Sequence, residues 1–236
     1  MTINKEKQAE PLEKNVHKST KKRIYKDFIK RFLDIVLSLI GIIICSIPMA
    51  LISLAIKLDS KGPVLFKQER LGYKGKVYRI LKFRTMCVGA EHMSGGVYSG
   101  KNDSRVTRVG NILRKTSLDE IPQLFNVLAG SMSFIGPRPP LTYHPWPIEE
   151  YSEEQLKMFD VRPGITGWAQ VHGRKDVEWH HRIELSVWYV NNVSFWLDFK
   201  IVWLTAFKVI TNADNENVKA TVLDVETVEE KEMSKR

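Results

Sequence analysis

The feature that most limits what this chain can become is the stretch from Phe32 to Ile56. It is almost unbroken Leu, Ile, Val and Ala, interrupted by Asp34, a few serines, Gly41 and Pro48. As a helix, about 25 residues make a rod of roughly 37 Å, enough to cross a hydrocarbon core of about 30 Å. Two features argue against a simple crossing. Pro48 lacks a backbone donor and crowds the preceding turn, which predicts a bend where Ser46 satisfies a freed backbone group, with limbs on either side too short to span. Positive charge also flanks both ends, Lys21 to Arg31 before and Lys57, Lys61, Lys67 and Arg70 after, and such flanks prefer the cytoplasmic side. A re-entrant helix that dips in and returns meets both constraints. A spanning helix and a buried core helix are the alternatives.

Around this segment the chain divides into a basic N-terminal tail and anchor (1–31), the re-entrant helix (32–58), a compact body (59–210) and an acidic, unpatterned tail (211–236) expected to be disordered. The basic start is expected to be retained, because the apolar run is too long for a signal peptide and has no small-residue cleavage site. A formal charge of +9 points to polyanionic partners. The two cysteines, Cys45 and Cys87, exclude a disulfide framework and a cysteine-rich zinc site, which fits a reducing, cytosol-facing setting. His180 and His181 are sequence neighbours rather than an i, i+4 pair, so a metal role for them is disfavoured against an ordinary surface one.

Within the body, Val64 to Lys67 and Val77 to Arg84 read as a small hairpin around Gly72 to Gly75. The Gly-, Ser- and Asn-rich stretch Ala90 to Asp103 reads as a loop able to close over a ligand. Helical signals resume near Val109 to Leu113 and from Asp119 to Leu128. Two helices follow between Glu178 and Ile210, separated at Asn191-Asn192, the second capped by Ser194. Phe195, Trp196, Phe199, Trp203 and Phe207 share one side of that second helix, with Lys200 and Lys208 at its margin. It suits a membrane interface or a core-facing position equally. The expected fold is α/β but mostly helical: the re-entrant helix, interfacial amphipathic helices and a small hairpin around a compact core.

Ser117-Leu118-Asp119-Glu120-Ile121-Pro122-Gln123 carries the chemistry. A proline is tolerated in a first helical turn, so a helix is expected to start near Asp119. Its positive end would then favour ionised carboxylates, suited to a nucleophile or a metal ligand. Ser117 and Glu120 also match a capping box, a purely structural reading. The basic residues Lys82, Arg84, Arg105, Arg108, Arg114, Arg138 and Arg162 lie in the segments before and after. Each alone is readable as surface charge. Gathered with two acids, they would describe a diphosphate site in which a hard cation such as Mg²⁺ links phosphate to carboxylate. Gly136-Pro137-Arg138-Pro139-Pro140 presents an arginine on a stiff turn, and Arg162-Pro163-Gly164 opens a tight loop whose backbone can approach a ligand. Trp168, just after it, either stacks on a base or sugar or packs under the loop.

Taken together, these segments resemble the bacterial sugar transferase family, the monotopic phosphoglycosyl transferases that start glycan assembly on undecaprenyl phosphate. The likeness runs from about Lys30 to Ile210. It covers the basic start and proline-broken re-entrant helix, Lys82-Phe83-Arg84-Thr85-Met86, Leu113 to Leu124, Phe134 to Pro139 and Val161 to Val171, in that order. It implies that body 59–210 is the catalytic domain of a polyprenyl-phosphate hexose-1-phosphate transferase on the cytoplasmic face of the bacterial inner membrane. The implied reaction moves a sugar-1-phosphate from a UDP-sugar to undecaprenyl phosphate with release of UMP, and it initiates exopolysaccharide, capsule, O-antigen or glycoprotein glycan assembly. By the same resemblance Asp119 is the nucleophile that holds the phosphosugar covalently, and Asp119 and Glu120 hold Mg²⁺ or Mn²⁺. Lys82, Arg84, Arg114, Gln123, Arg138, Pro139, Arg162 and Gly164 are the implied substrate-binding set. The implied partners are the two substrates and inner-membrane lipids rather than nucleic acid, and a homo-oligomer is compatible.

The chain departs from the family pattern at Ser131 and Ser186, where acids are common, and at His172, where asparagine is familiar. The rival readings are a membrane-tethered polyanion-binding module, which leaves the acid pair and the arginine-proline turn unexplained, and a scaffold without activity.

Overall fold

The computed structural model describes residues 24–90, 93, 103–172 and 178–211. Most of the basic tail, nearly all of the expected closing loop and the acidic C-terminal stretch lie outside the described residues.

A π-helical turn, Tyr25–Ile29, leads into one long helix, α1, Lys30–Asp59. Helical structure continues through Pro48 without interruption. The proline removes the N–H that would reach the Ile44 carbonyl, but Ser46 does not take that place: its hydroxyl donates to the Ile43 carbonyl at 2.7 Å.

One face of α1 lies against the body along its length. Arg31 donates to the carbonyls of Val127 and Leu128 at 2.6 and 2.8 Å. Asp34 accepts from Ser133 Oγ and the Phe134 amide at 3.0 and 3.1 Å, which explains an acid inside an apolar run. Gly41 faces Leu124, and a side-chain carbon there would sit 3.2 Å from its methyl group. Ile56 packs with Phe83 and Leu113, and Asp59 accepts from the Val109 amide at 3.1 Å. The opposite face is bare, with Ile43 and Ile47 each 72% exposed. That degree of exposure rules out a buried core helix.

The body begins with the expected hairpin. Strand β1 (Leu65–Leu71) pairs antiparallel with β2 (Val77–Phe83), Leu65 opposite Phe83 and Leu71 opposite Val77. The turn needs positive φ at Lys74 and Gly75. Helix α2 (Arg108–Thr116) is capped by Thr107, whose hydroxyl accepts from the Gly110 amide. Helix α3 (Gln123–Ala129) ends at Gly130 with φ 86°. Its Asn126 side chain reaches the outer edge of β2, accepting from the Leu81 amide and donating to the Arg79 carbonyl, both at 2.9 Å. A two-stranded sheet leaves such an edge open, and here Asn126 of α3 covers part of it.

Strand β3 (Ser133–Ile135) runs parallel to β4 (Gly164–Thr166), a pairing not anticipated from the sequence. The crossing is so close that a side-chain carbon on Gly136 would meet the Arg162 carbonyl at 2.2 Å, and one on Gly164 would meet the Gly136 amide nitrogen at 2.1 Å. Short helices α4 (Glu153–Leu156) and α5 (Trp168–Val171) precede α6 (Trp179–Asn192) and α7 (Phe195–Thr211). Ser194 caps α7, its hydroxyl accepting from the Leu197 amide at 3.3 Å, so the break falls two residues beyond the asparagine pair. Asp198 and Ile201 are buried on α7, whereas Trp196 and Trp203 are 76% and 68% exposed. The aromatic face is therefore turned away from the core.

Candidate active site

Asp119 and Glu120 occupy a 3-10 turn, Leu118–Glu120, between α2 and α3. Ser117 closes α2 in the left-handed region (φ 58°) and makes no side-chain cap, so the capping-box reading is not realised. Pro122 sits just ahead of α3, where a missing N–H leaves no bond unmade. The α-helix thus starts at Gln123 rather than near Asp119, and the acids precede it by more than two residues.

The helix dipole does not govern the acids here, because the α-helix starts beyond them and burial acts the other way. Burial raises the Asp119 pKa above the usual carboxylate range, with the Glu120 charge adding to the rise. Lys82, and to a lesser degree Arg114, act in the opposite direction. Glu120 is held by Lys82, whose Nζ donates to Oε1 at 2.6 Å, both side chains being about three-quarters covered. Lys82 projects from β2, Arg114 from the last turn of α2 and the acids from the turn after it, so hairpin and helix pair supply opposite charges to one place.

Next to this group lies a residue that the sequence reading counted only among the charges flanking the apolar run. Arg70, near the end of β1, donates to the Pro139 carbonyl at 3.1 Å and to Gln68 Oε1 at 2.7 Å. Its Nε and the hydroxyl of neighbouring Tyr78 are buried without hydrogen-bond partners. Burial, reinforced by the Arg138 charge, lowers the Arg70 pKa to about 10, and Glu120 is close enough to oppose the shift. Arg138 itself is exposed on the stiff turn, while Pro139 is buried beneath it. A signal for Arg70 was present: Phe66, Gln68 and Arg70 share the covered side of β1, and Lys67 and Glu69 the exposed one. An arginine on the covered side of a strand is unusual.

Other predicted site residues are placed differently. The Arg84 guanidinium closes the end of α1, donating to the carbonyls of Ser60 and Lys61 at 2.8 and 3.0 Å and to Ser60 Oγ. Gln123 is 2% exposed, inside the first turn of α3. Arg162 donates to the Gly130 carbonyl at 2.8 Å, at the end of α3 remote from the acids, roughly 10 Å of helix away. Gly164 lies in the β3–β4 crossing. The Trp168 ring is already stacked, 4.6 Å from Trp188 and 3.7 Å from His172, with Lys200 at 5.5 Å. It packs as part of the fold instead of offering a face to a base. Ser131 bonds Asn126, and Ser186 donates to the Arg182 carbonyl within α6.

The acid pair fits a magnesium ion by its chemistry. Mg²⁺ is commonly held by one or two carboxylates with the remaining positions filled by substrate phosphate and water. Among the described residues no cluster of three His, Cys, Asp or Glu side chains occurs. Burial of Asp119 beside Glu120 disfavours two negative charges, a conflict that a divalent cation relieves.

These features define a class: a mostly helical protein that gathers two acids and several cations beside a long, bare apolar helix. Residues 25–212 match the model of the bacterial sugar transferase family, and the chain belongs to that family. It is 43% identical over 189 residues to a UDP-glucose:undecaprenyl-phosphate glucose-1-phosphate transferase of Escherichia coli, covering 78% of this chain and 40% of the relative. A UDP-N-acetylgalactosamine-undecaprenyl-phosphate N-acetylgalactosaminephosphotransferase of Aeromonas hydrophila is 43% identical over 190 residues, 78% and 44% of the two lengths. Uncharacterized sugar transferase EpsL of Bacillus subtilis is 41% identical over 185 residues, 78% and 88%. The chain thus spans less than half of the first two relatives and most of the third.

Proposed function

We propose that this protein transfers a sugar-1-phosphate from a UDP-sugar to undecaprenyl phosphate, releasing UMP, on the cytoplasmic face of the bacterial inner membrane, as the first step of building a glycan. The single observation that carries this reading is the place of the acid pair. Asp119 and Glu120 are half-buried among Lys82, Arg114 and Arg70, in the turn leading to the helix whose Leu124 lies against Gly41 of the bare apolar helix. A water-soluble diphosphate and a lipid phosphate can both reach such a position.

In this mechanism an Asp119 oxygen attacks the β-phosphorus. The bond from that phosphorus to the bridging oxygen breaks, and UMP departs with the bridging oxygen. An oxygen of undecaprenyl phosphate then attacks the same phosphorus, and Asp119 leaves as a carboxylate. Asp119 and Glu120 would hold Mg²⁺, which supplies neutralisation of phosphate charge. Lys82 keeps Glu120 oriented, and Arg70 steadies the turn carrying Arg138, the arginine assigned to the nucleotide phosphates.

Helix α1 supports a one-sided membrane attachment. Its first turns are fixed by Lys30 to Asp198 and Asp34 to Ser133, its end by Asp59 to Val109 and by Arg84. A spanning helix would place these ends on opposite faces, yet both grip the same body. This supports attachment of the body to the bilayer from one side, with the exposed aromatic face of α7 in the headgroup region.

The test is incubation of detergent-solubilised protein with undecaprenyl phosphate, Mg²⁺ and a panel of UDP-sugars, including UDP-glucose and UDP-N-acetylgalactosamine, following UMP. Release is expected with at least one sugar and is lost in Asp119→Asn or on chelation. Undiminished release from Asp119→Asn refutes the assigned nucleophile.

A further inference from the structure

At the end of α1 the surface changes character. Leu58 is 80% exposed there, and Val88, 64% exposed, borders Gly62 just past the helix, where an added side-chain carbon would sit 2.5 Å from its methyl group. Helix α2 starts at the same place, because Asp59 accepts from its Val109 amide. Arg108, Ile112 and Lys115, spaced i, i+4 and i+7, share one face of α2. All three are exposed, Ile112 by 61%. The opposite side is taken: Gly110 lies against the Thr85 carbonyl, and Leu113 packs with Ile56. Just past the helix, Leu118 is exposed again, next to Asp119.

A single exposed isoleucine needs no explanation. This one continues a bare apolar surface and stands among cations. Among the described residues, Lys57, Lys61, Arg108 and Lys115 are exposed around this end of α1, while the acids of the same stretch are engaged: Asp59 by the Val109 amide, Asp103 by Arg105, and Glu69 by Arg79 on the hairpin. The start of α1 is aromatic instead. Phe28 and Phe32 are 73% and 65% exposed, and Tyr25 makes an edge contact at 6.0 Å with Phe195, where α7 begins. Rings of the Trp196 kind settle at headgroup level through their amphipathic shape. Lys and Arg beside apolar side chains are drawn to anionic lipid. The two ends of α1 thus meet a bilayer by different physics.

We propose that the basic and apolar patch running from Leu58 and Val88 to Ile112 of α2 is a docking surface for anionic phospholipid headgroups, a proposal that rests on the one-sided membrane attachment above and not on the transfer reaction. Leu58, Val88 and Ile112 enter the boundary between headgroups and acyl chains. Lys61 and Arg108 meet phosphate oxygens, Arg108 through its guanidinium fork. Nucleic acid would satisfy the cations but press a charged polymer against the apolar side chains. Because α2 runs directly into Leu118 and Asp119, the charge of the surrounding lipid sets how firmly the acid-bearing turn is held at the bilayer surface.

The experiment attaches a bimane fluorophore at Ile112→Cys, in the full chain with its own thiols removed by Cys45→Ala and Cys87→Ser, reconstituted into phosphatidylcholine nanodiscs. Quenching is measured with trace phosphatidylcholine or phosphatidylglycerol carrying a nitroxide near the headgroup end of one acyl chain. Both lipids are expected to quench, phosphatidylglycerol at least about twofold more strongly, with the excess vanishing at about 1 M salt, where the Debye length is about 3 Å. Lys61→Gln with Arg108→Gln is expected to abolish the excess at an unchanged melting temperature. Lys67→Gln with Lys76→Gln, which takes the same charge from the exposed hairpin, is expected to leave it. No quenching by either lipid, or equal quenching by both, overturns the proposal. So does an excess that survives in the Lys61 and Arg108 pair or falls equally in the hairpin pair. Should Arg108→Gln fail to fold, Lys61→Gln alone is expected to lower the excess, and an undiminished excess there overturns the proposal equally. Undecaprenyl phosphate that displaces the labelled phosphatidylglycerol far better than unlabelled phosphatidylglycerol does marks the patch as an acceptor site and overturns it too. Selective quenching without UMP release removes the transferase reading alone, and UMP release without quenching removes the patch alone. Failure of the chain to enter nanodiscs removes the attachment and the patch together.

Discussion

Asp198 offers the sharpest test of how the apolar helix is held. Its carboxylate is 3% exposed and takes three donors: Lys30 Nζ at 2.6 Å and Tyr25 Oη at 2.7 Å on Oδ2, and Tyr189 Oη at 2.7 Å on Oδ1. Lys30 is itself 8% exposed. Hydrogen bonds to a charged group contribute roughly 1.5–3 kcal/mol each, but they share one acceptor and do not add. The larger part of the loss in Asp198→Ala is the stranded ammonium, and breaking a buried pair from one side is destabilising by about 3–5 kcal/mol. We take about 4 kcal/mol, which at roughly 2–4 °C per kcal/mol for a body of this size lowers the melting temperature by about 8–16 °C. The double variant Lys30→Met, Asp198→Leu removes both charges and is expected to recover most of that loss, to within about 2 kcal/mol of wild type. Urea unfolding in detergent, followed by tryptophan fluorescence, measures all three proteins. A loss below about 1 kcal/mol in Asp198→Ala, or a double variant as damaged as the single one, refutes the reasoning.

Four further outcomes follow from the site and its supports. Because burial raises the Asp119 pKa, the fold disfavours the ionised form, and stability present below the unfolded-state pKa is lost as pH rises through the folded value. Asp119→Asn is therefore expected to melt higher than wild type at neutral pH, the gain shrinking toward acid pH, while it abolishes UMP release. The acid limb of the rate profile should lie above the ordinary carboxylate midpoint of about 3.9. Glu120→Gln removes a like charge, so that limb should move toward lower pH even as the plateau rate falls. Arg84→Met leaves the carbonyls of Ser60 and Lys61 without their donor and is expected to lower stability by about 2–3 kcal/mol in denaturant titration, with the donor KM of the folded fraction unchanged.

What the sequence disclosed and what it withheld follow physical lines. The apolar run, the hairpin, the Ser194 cap and the acid pair are local patterns, and local patterns are legible because their causes lie within a few residues. Arg84 and Arg162 looked like phosphate binders because a guanidinium suits phosphate and carbonyl oxygens alike. Only the fold shows that Arg84 meets the end of α1 and Arg162 the end of α3. The parallel β3–β4 pair was hidden because each strand is three residues long and its partner lies some thirty residues away. The direction of the Asp119 pKa shift was hidden for a related reason: the dipole argument counted only the helix next to the acid, and burial by distant segments raises the pKa.

Helix α3 is only seven residues long, and helices shorter than about 12 residues are marginal in water by themselves. Its position is imposed from outside. Arg31 of α1 takes its last carbonyls, Gly41 of α1 lies on Leu124, and Asn126 ties it to the open edge of β2. The acid pair enters this helix through Ile121 and Pro122, so its height above the apolar face is set by α1, and its distance from Lys82 by the hairpin. A change on the membrane helix that shifts α3 moves the carboxylates relative to the cations without touching either. Gly41 is where such a change is most direct, because a side chain there presses on Leu124 while the exposed apolar face of α1 stays as it was.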